Sequence, residues 1–157
     1  MSASAACPAS VHACAVVVGE VCVLIRGPSG AGKSAATMAL IELAKMRGQF
    51  ARLVADDRVR LETRGGRLVA SPHPAIAGRI ERRGQGIGAA PHLPRAVVAL
   101  VVDLVGADAP RLPEPGELWT QIEGLRVPRL ALCGAPIEIA AATLARLRRR
   151  AGDLAPP

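Results

Sequence analysis

The stretch "LIRGPSGAGKSAATMALIEL" (residues 24–43) runs from an apolar segment through a glycine-rich turn into a helix-like pattern. Gly27, Gly32, Lys33 and Ser34 fill the pattern G-x-x-x-x-G-K-[ST]. Glycines in these places allow backbone conformations that direct successive N–H groups at phosphate oxygens, and the N-terminus of the following helix adds positive partial charge. The stretch therefore predicts a strand, a phosphate-binding turn and a helix, in that order.

The same turn predicts a nucleotide site. In this pattern the lysine reaches the β- and γ-phosphates of the nucleotide, and the serine hydroxyl can ligate Mg²⁺. A chance match is rare at the ordinary frequency of glycine, and the strand before the turn and the helix after it are the context that the motif requires. The predicted cofactor-binding residues are Gly27, Pro28, Ser29, Gly30, Ala31, Gly32, Lys33 and Ser34.

Two adjacent acids, Asp56 and Asp57, end the next hydrophobic segment, "ARLVADD" (51–57). In phosphate-loop proteins an acid at the tip of a neighbouring strand holds the metal or takes up the proton of the acceptor group. Two such carboxylates can divide these roles, one acting as general base and the other ordering the metal's water. The alternative is an exposed Asp-Asp turn without function. The position after a phosphate turn and its helix favours the functional interpretation.

Aliphatic runs alternate with turns along the whole chain. Residues 13–18 and 21–25 predict two strands joined at Gly19 and Glu20, and helical spacing continues after the phosphate turn to about Gly48. The most hydrophobic run, 96–105, is expected to be the central strand. The other predicted elements are strands over 51–57, 59–63, 67–70 and 78–82, a loop-like segment over 79–88, a loop at Pro110, Pro113 and Pro115, a hairpin over 117–132 and a helix over 136–152.

Strand, phosphate turn, helix and strand in succession argue for an α/β fold with a mixed β-sheet flanked by helices. At 157 residues the chain is expected to form a single P-loop catalytic domain over 1–157. Its ends, 1–9 and 152–157, are expected to be flexible.

The net charge of +7 raises the question of a polyanionic partner. Lys33 and Lys45 are the only lysines, so the positive charge comes from arginine, and the abundance of Ala, Gly and Pro is typical of GC-rich coding. No nucleic-acid-binding motif accompanies the charge. We therefore predict no nucleic-acid partner.

The sequence gives no sign of a metal-thiolate site or of export. The four cysteines form no C-x-x-C pair, which favours free thiols in a reducing compartment. The first ten residues lack the charged and apolar regions of a signal peptide, and the run 13–25 is too short to cross a bilayer. A cytoplasmic protein without membrane partners is predicted.

Taken together, four segments resemble the catalytic domain of HPr kinase/phosphorylase, which phosphorylates a serine of HPr, the phosphocarrier of the bacterial sugar phosphotransferase system. "GPSGAGKS" (27–34) is similar to the family's P-loop, and "RLVADDRV" (52–59) to its Asp-Asp strand. "IERRGQGI" (80–87) resembles the family signature, usually I-E-V-R-G-L-G-I, and His12 stands in the place of the family's histidine. "PRLPE" (110–114) resembles the segment that carries its catalytic arginine.

The resemblance implies a fold of the HPr kinase and PEP carboxykinase type and a role for each matched residue. Lys33 would neutralise charge on the γ-phosphate of ATP, and Ser34 and Glu81 would be Mg²⁺ ligands. Asp57 would take the proton of the acceptor serine, and Asp56 would support both Asp57 and the metal. The remaining two catalytic residues implied are His12, beside the phosphates, and Arg111, on the transferred group.

The chain departs from the family pattern near its C-terminus. The family has a Pro-Gly-Arg-Asn segment tied to dephosphorylation, whereas "LALCGAP" (130–136) lacks both the arginine and the asparagine. Phosphorolysis of phospho-HPr is therefore left open, as are the choice of HPr paralogue and a homo-oligomeric assembly. The resemblance is to the short form of the family, which has no additional N-terminal domain.

A protein-serine kinase acting on HPr is the preferred prediction. One alternative is a regulatory protein of the same fold that binds nucleotide without transferring phosphate, and another is a small-molecule P-loop kinase. The sequence shows no lid or acceptor pocket for the latter. Retention of Lys33, Ser34, Asp57 and Glu81 together favours the enzyme over the sensor, because a sensor has little use for a base.

Overall fold

Aliphatic strands and two helices make up most of the chain, for which a computed structural model describes residues 9–82, 84–109 and 112–149. Short 3₁₀ turns lie at Pro74–Ile76 and Pro115–Leu118. The elements are β1 (Ala9–Val18), β2 (Val21–Arg26), α1 (Lys33–Met46), β3 (Ala51–Ala55), β4 (Arg58–Arg64), β5 (Arg67–Pro72), β6 (Arg79–Arg82), β7 (Gly86–Ala89), β8 (Ala96–Leu104), β9 (Trp119–Ile122), β10 (Leu125–Leu132) and α2 (Pro136–Arg148).

The main sheet is mixed and curls back on itself. Strand β1 pairs antiparallel with β2 on one side and with β3 and β4 on the other. Strand β4 pairs with β5, β5 with the start of β8, and β8 runs parallel to both β2 and β10. The path β1–β4–β5–β8–β2 therefore closes into a ring, and β3 and the β9–β10 hairpin extend from it.

Because side chains alternate in direction along each strand, one hydrophobic core forms inside the ring and another forms outside it. Ala13, Ala15 and Val17 of β1 point into the ring, where they meet apolar residues of β4, β5 and β8. Cys14 and Val16 point outward and pack against helices α1 and α2. The predicted mixed sheet with helices packed against it is thus confirmed. Both helices lie on one side of the ring, because β4 and β5 already cover the inner face of β1 and β2.

Most of the predicted elements are present near their expected positions. The run 96–104 is an interior strand with partners on both sides, and the hairpin 119–132 and the helix from Pro136 form as predicted. The strand predicted over 78–82 is present as β6, whereas the loop interpretation of 79–88 is wrong, because β6 and β7 pair into a two-stranded ribbon. The ends predicted to be flexible lie outside the described residues, except that β1 begins at Ala9. None of the described helices has the length and apolar character needed to cross a membrane.

A cluster of charges fixes the end of the central strands, directly before the glycine-rich turn. Asp103 lies opposite Arg26 in the β2–β8 pairing and accepts two hydrogen bonds from its guanidinium, at 2.7 and 2.8 Å. Arg129 of β10 donates a third. Partial burial alone would raise the pKa of Asp103, but the hydrogen bonds and charges of Arg26 and Arg129 outweigh it and lower the pKa below its ordinary value. The carboxylate thus joins three strands.

We expect Asp103→Asn to lower the free energy of unfolding by about 2 kcal/mol at neutral pH, because charge-assisted bonds to two arginines become neutral ones. A folded-state pKa below the unfolded value contributes stability that is present above the unfolded pKa and is lost as pH falls through the folded one. The variant's deficit should therefore shrink below about pH 4. Urea unfolding of the wild type and the variant at several pH values between neutral pH and below pH 4 measures this difference in the free energy of unfolding. A deficit that is constant with pH would contradict the ion-pair assignment.

Candidate active site

The β3–β4 segment places the two acids beside the glycine-rich turn. Its pairing with β1 keeps the same register on both sides of the acids, with Ala15 opposite Ala55 and His12 opposite Arg58. The backbone amide of Ala13 donates to the carbonyl of Asp57 at 3.2 Å. This register brings Cys14 opposite Asp56, and the outward face of β1 at Cys14 is the face that α1 covers.

Asp56 is a buried carboxylate held by three neutral donors. Ser34 Oγ donates to its Oδ1 at 2.7 Å, Cys14 Sγ donates to the same oxygen at 3.0 Å, and the backbone amide of Glu81 donates to its Oδ2 at 2.9 Å. The residue is 5% exposed. Among the described residues, no basic side chain lies within ion-pair range of Asp56. A buried negative charge without a cationic partner is costly, so the position suits a bound cation.

Asp57 points the other way because its backbone turns sharply. Its φ of 67° lies in the left-handed region, which aspartate tolerates better than most residues. The amide of Arg58 donates to the carbonyl of Asp56 at 2.8 Å and closes this turn. Asp57 Oδ1 lies 3.7 Å from His12 Nδ1, and both side chains are exposed, 64% and 74% respectively. The turn therefore gives two neighbouring acids opposite surroundings.

The glycine-rich turn needs its glycines for two different reasons. Gly30 and Gly32 have φ of 81° and 91°, and a Cβ at either would meet no atom within 4 Å, so backbone conformation rather than crowding requires glycine. At Gly27 a Cβ would lie 3.1 Å from the Cβ of Leu104, so close packing of the turn on β8 is the reason. Helix α1 begins directly after Gly32 with no side-chain cap and no acid in its first turn. Its N-terminus retains the positive partial charge that favours an anion.

Lys33 lies in the first turn of α1 and folds back over the loop. Its ammonium donates to the carbonyls of Gly27 and Pro28 at 2.9 and 3.1 Å, and the residue is 8% exposed. A lysine held this way lies next to the helix N-terminus, where it adds a full positive charge.

A cavity of about 570 Å³ joins these groups. Its lining includes most of the predicted site residues, but Gly27, Pro28, Ala31, His12 and Asp56 are not part of it. Ala35, Met38 and Gln85 also line it and were not predicted. Gln85 lies in the signature segment 80–87, whereas Met38 stands one helical turn after Ser34, a spacing that could have identified it. The lining residues are Ser29, Gly30, Gly32, Lys33, Ser34, Ala35, Met38, Asp57, Glu81 and Gln85.

Glu81 contributes to the candidate site through both its backbone and its side chain. Its backbone amide holds Asp56, and its exposed side chain lines the cavity. Within the described ranges no group of three or more His, Cys, Asp and Glu side chains is arranged to hold a metal ion. A Mg²⁺ site with one or two protein ligands and substrate phosphates does not need such a group. The predicted catalytic Arg111 lies outside the described residues.

Cys14 is the contact that sequence reasoning missed. Its side chain lies 4.0 Å from Ser34 Oγ, and its thiol donates to Asp56. Burial and then the charge of Asp56 raise the pKa of the thiol to about 12. It therefore stays protonated and remains a donor at neutral pH. The alternation of β1, with His12 and Cys14 on one face, was the signal that could have found it.

The fold is of the mixed α/β class, with a glycine-rich turn and an acid pair at one end of its central strands. The family model for the HPr Serine kinase C-terminal domain matches residues 4–110, more than half of the chain. The solved structure of the Hpr(Ser) kinase/phosphatase from Coxiella burnetii is 28% identical, with a TM-score of 0.71 over 90% of this chain and 96% of that one. No curated protein matches the sequence. The chain belongs to the HPr serine kinase family through this C-terminal domain, as its motifs predicted.

The burial of the thiols gives a test of the site's geometry. Burial raises the pKa of both Cys14 and Cys22 to about 12. At about pH 8, on the order of one in ten thousand of these thiols is therefore the reactive thiolate. In the folded protein, the exposed Cys133 should therefore react with iodoacetamide far faster than the buried Cys14 and Cys22. Peptide-level mass spectrometry over a time course measures this, with urea-unfolded protein as the control. Rapid labelling of Cys14 in the folded protein would contradict the packing of β1 against α1.

Proposed function

We propose that this protein is a Mg²⁺- and ATP-dependent protein-serine kinase that phosphorylates HPr or a paralogue. The observation that carries the proposal is that one turn gives the two adjacent acids, Asp56 and Asp57, opposite surroundings. Asp56 is buried and tied to Ser34, whereas Asp57 is exposed on the cavity that Lys33 and the glycine-rich turn also line.

Asp57 is the candidate general base for the acceptor serine. Its carboxylate is largely exposed at the cavity, so an incoming hydroxyl can reach it without rearrangement of the fold. In phosphoryl transfer the base orients and deprotonates the nucleophile, while positioning and charge stabilisation supply most of the catalysis. We assign to His12, whose Nδ1 lies 3.7 Å from Asp57 Oδ1, the role of orienting the Asp57 carboxylate.

Ser34 and Asp56 fit a Mg²⁺ site by the chemistry of their donors. Both offer hard oxygen atoms, and Asp56 is a buried carboxylate with no basic partner among the described residues. Glu81 adds a carboxylate at the edge of the same cavity. The bound metal ion would neutralise charge on the nucleotide phosphates. The chain's own part is to hold Ser34 and Asp56 in a fixed orientation through the thiol of Cys14 and the amide of Glu81.

Nucleotide binding itself is assigned to the glycine-rich turn. The uncapped start of α1 and the ammonium of Lys33 supply positive charge beside a cavity that is large enough for a triphosphate. Gly30 and Gly32 allow the backbone there to approach a ligand without a side chain in between. We assign Lys33 to the γ-phosphate, where its charge offsets the charge that develops during transfer.

The acceptor is inferred from the family. Membership in the HPr serine kinase family supports HPr as the substrate, and hence a role in regulating the phosphotransferase system in the cytoplasm. The absence of Arg and Asn from residues 130–136 makes transfer to HPr, rather than phosphorolysis of phospho-HPr, the direction that we propose as principal.

We expect Asp57→Asn to reduce kcat for HPr phosphorylation on the order of a hundred- to ten-thousand-fold, since an amide cannot accept the serine proton. ATP affinity should change by less than about twofold, because Asp57 is not part of the phosphate turn. Asparagine tolerates the left-handed backbone at this position, so the variant should fold. Labelled ATP, Mg²⁺ and HPr measure transfer, and calorimetry measures ATP binding. Adding inorganic phosphate afterwards tests phosphorolysis.

ATP binding by the wild-type protein without transfer to any phosphocarrier would instead indicate the nucleotide-sensing regulator. Equal activity of wild type and Asp57→Asn would show that the base lies elsewhere.

Asp56→Asn should act on metal dependence rather than on proton transfer. Loss of the charge behind Ser34 is expected to raise the Mg²⁺ concentration needed for half-maximal ATP binding by about ten- to a hundred-fold. Calorimetric ATP titrations at several Mg²⁺ concentrations give this value, with Asp57→Asn as the matched control one residue away. An unchanged Mg²⁺ requirement would remove Asp56 and Ser34 from the proposed metal site.

A further inference from the structure

The outer surface of β4 and β5 carries a concentration of positive charge beside the candidate site. Val59 and Leu61 of β4, and Leu68 and Ala70 of β5, point into the ring core. The residues that alternate with them therefore lie on the other face, on the side of the ring that the helices do not cover, where most are at least partly exposed and Val69 of β5 is buried. We call five of these outward residues the arginine face: Arg58, Arg60, Glu62, Arg64 and Arg67.

The charge of this face is strongly one-sided. Its only acid, Glu62, is already paired with Arg64, at 2.9 Å between Oε1 and Nε. Four arginines against one glutamate leave a net charge of three positive units. Arg58, Arg64 and Arg67 are exposed and Arg60 is half-buried. Such a surface attracts an acidic partner and repels a basic one.

The arginine face is continuous with the rim of the active site. Arg58 follows Asp57 in the chain and lies opposite His12 in the β1–β4 register, and Arg60 lies opposite Ser10. At a rise of about 3.3 Å per residue, the face extends roughly 20 Å from Arg58 to Arg64. A protein lying along it would bring one edge of its surface to the Asp57 carboxylate.

We propose that the arginine face is the docking surface for the acceptor protein and that it binds an acidic surface next to the acceptor serine. This inference rests on the proposed kinase function. A second copy of the chain is a poor occupant, because a two-fold contact through this face would bring like charges together. A single-stranded nucleic acid is also disfavoured, because Phe50 and Trp119, the only Phe, Tyr or Trp residues of the chain, lie outside β4 and β5 and offer this face no aromatic ring for base stacking.

The test is the double charge reversal Arg60→Glu/Arg67→Glu, which leaves the proposed catalytic residues unchanged. Its matched control is Arg47→Glu/Arg148→Glu, which changes the net charge equally at exposed positions at the ends of the two helices. Binding of HPr to immobilised enzyme gives Kd, and transfer assays give KM and kcat. We expect roughly a tenfold rise in Kd and KM for the reversal at low salt. The value of kcat at saturating HPr and the affinity for ATP should be unchanged, and the control should behave as wild type.

Salt provides a second measurement that does not depend on the fold of a variant. Wild-type Kd for HPr should rise between low salt and about 0.3 M NaCl, because exposed charges are screened. A Kd that is insensitive to salt, or equal in wild type and the reversal, overturns the docking proposal. Wild-type binding of a DNA or RNA oligonucleotide that the reversal abolishes, with HPr binding unaffected, overturns it in favour of a nucleic-acid surface.

The two proposals fail differently. Salt-dependent HPr binding that the reversal weakens, without any phosphate transfer, keeps the docking surface and overturns the kinase. Transfer to HPr with equal KM in wild type, reversal and control keeps the kinase and overturns the docking surface. The absence of both binding and transfer overturns both.

Discussion

The carboxylate of Asp56 is the constraint on which the rest of the site depends. Its three donors come from α1, β1 and the start of the β6–β7 ribbon, so one buried group fixes the positions of three elements relative to β3. All three donors are neutral, which leaves the negative charge uncompensated by any basic residue among those described. A cation at this place would restore the balance that burial removes. The local fold and the proposed metal chemistry therefore share one cause.

The closed ring of strands explains why the site is open on one side. Helices α1 and α2 cover the outer face of β1, β2, β3 and β8, and β4 and β5 complete the ring with a largely exposed outer surface. The acid pair lies where β3 passes into β4, which is the boundary between the covered and the bare part of the ring. Asp56 belongs to the covered part and Asp57 to the bare part.

The sequence predicted the parts of the site that depend on short spacing. Local sequence patterns predicted the glycine-rich turn, the helix after it and the acids at the end of β3. They did not predict the closure of the ring, because closure depends on pairing between β5 and the first residues of β8, which are distant in sequence. Asp103 shows the same limit. It ends a hydrophobic strand beside the phosphate turn, where an acid could equally serve a metal, and only the three-dimensional contacts with Arg26 and Arg129 show that it joins strands instead. Cys14 was missed because thiols seldom act as hydrogen-bond donors to a buried carboxylate.

The two charged groups nearest the turn differ in how freely they can change partners. Lys33 donates to two carbonyls of the glycine-rich loop, and phosphate oxygens are at least equally good acceptors, so exchange of one set for the other costs little net hydrogen bonding. Asp56 is less free to change partners, because the Cys14 thiol that donates to it is fully buried and would be left without an acceptor. Entry of a nucleotide should therefore move the lysine and leave the acid in place. In the proposed kinase, a fixed acid and an adaptable lysine would hold a metal ion in one place while phosphates of different length are accommodated, which suits transfer of a terminal phosphoryl group better than simple retention of a ligand.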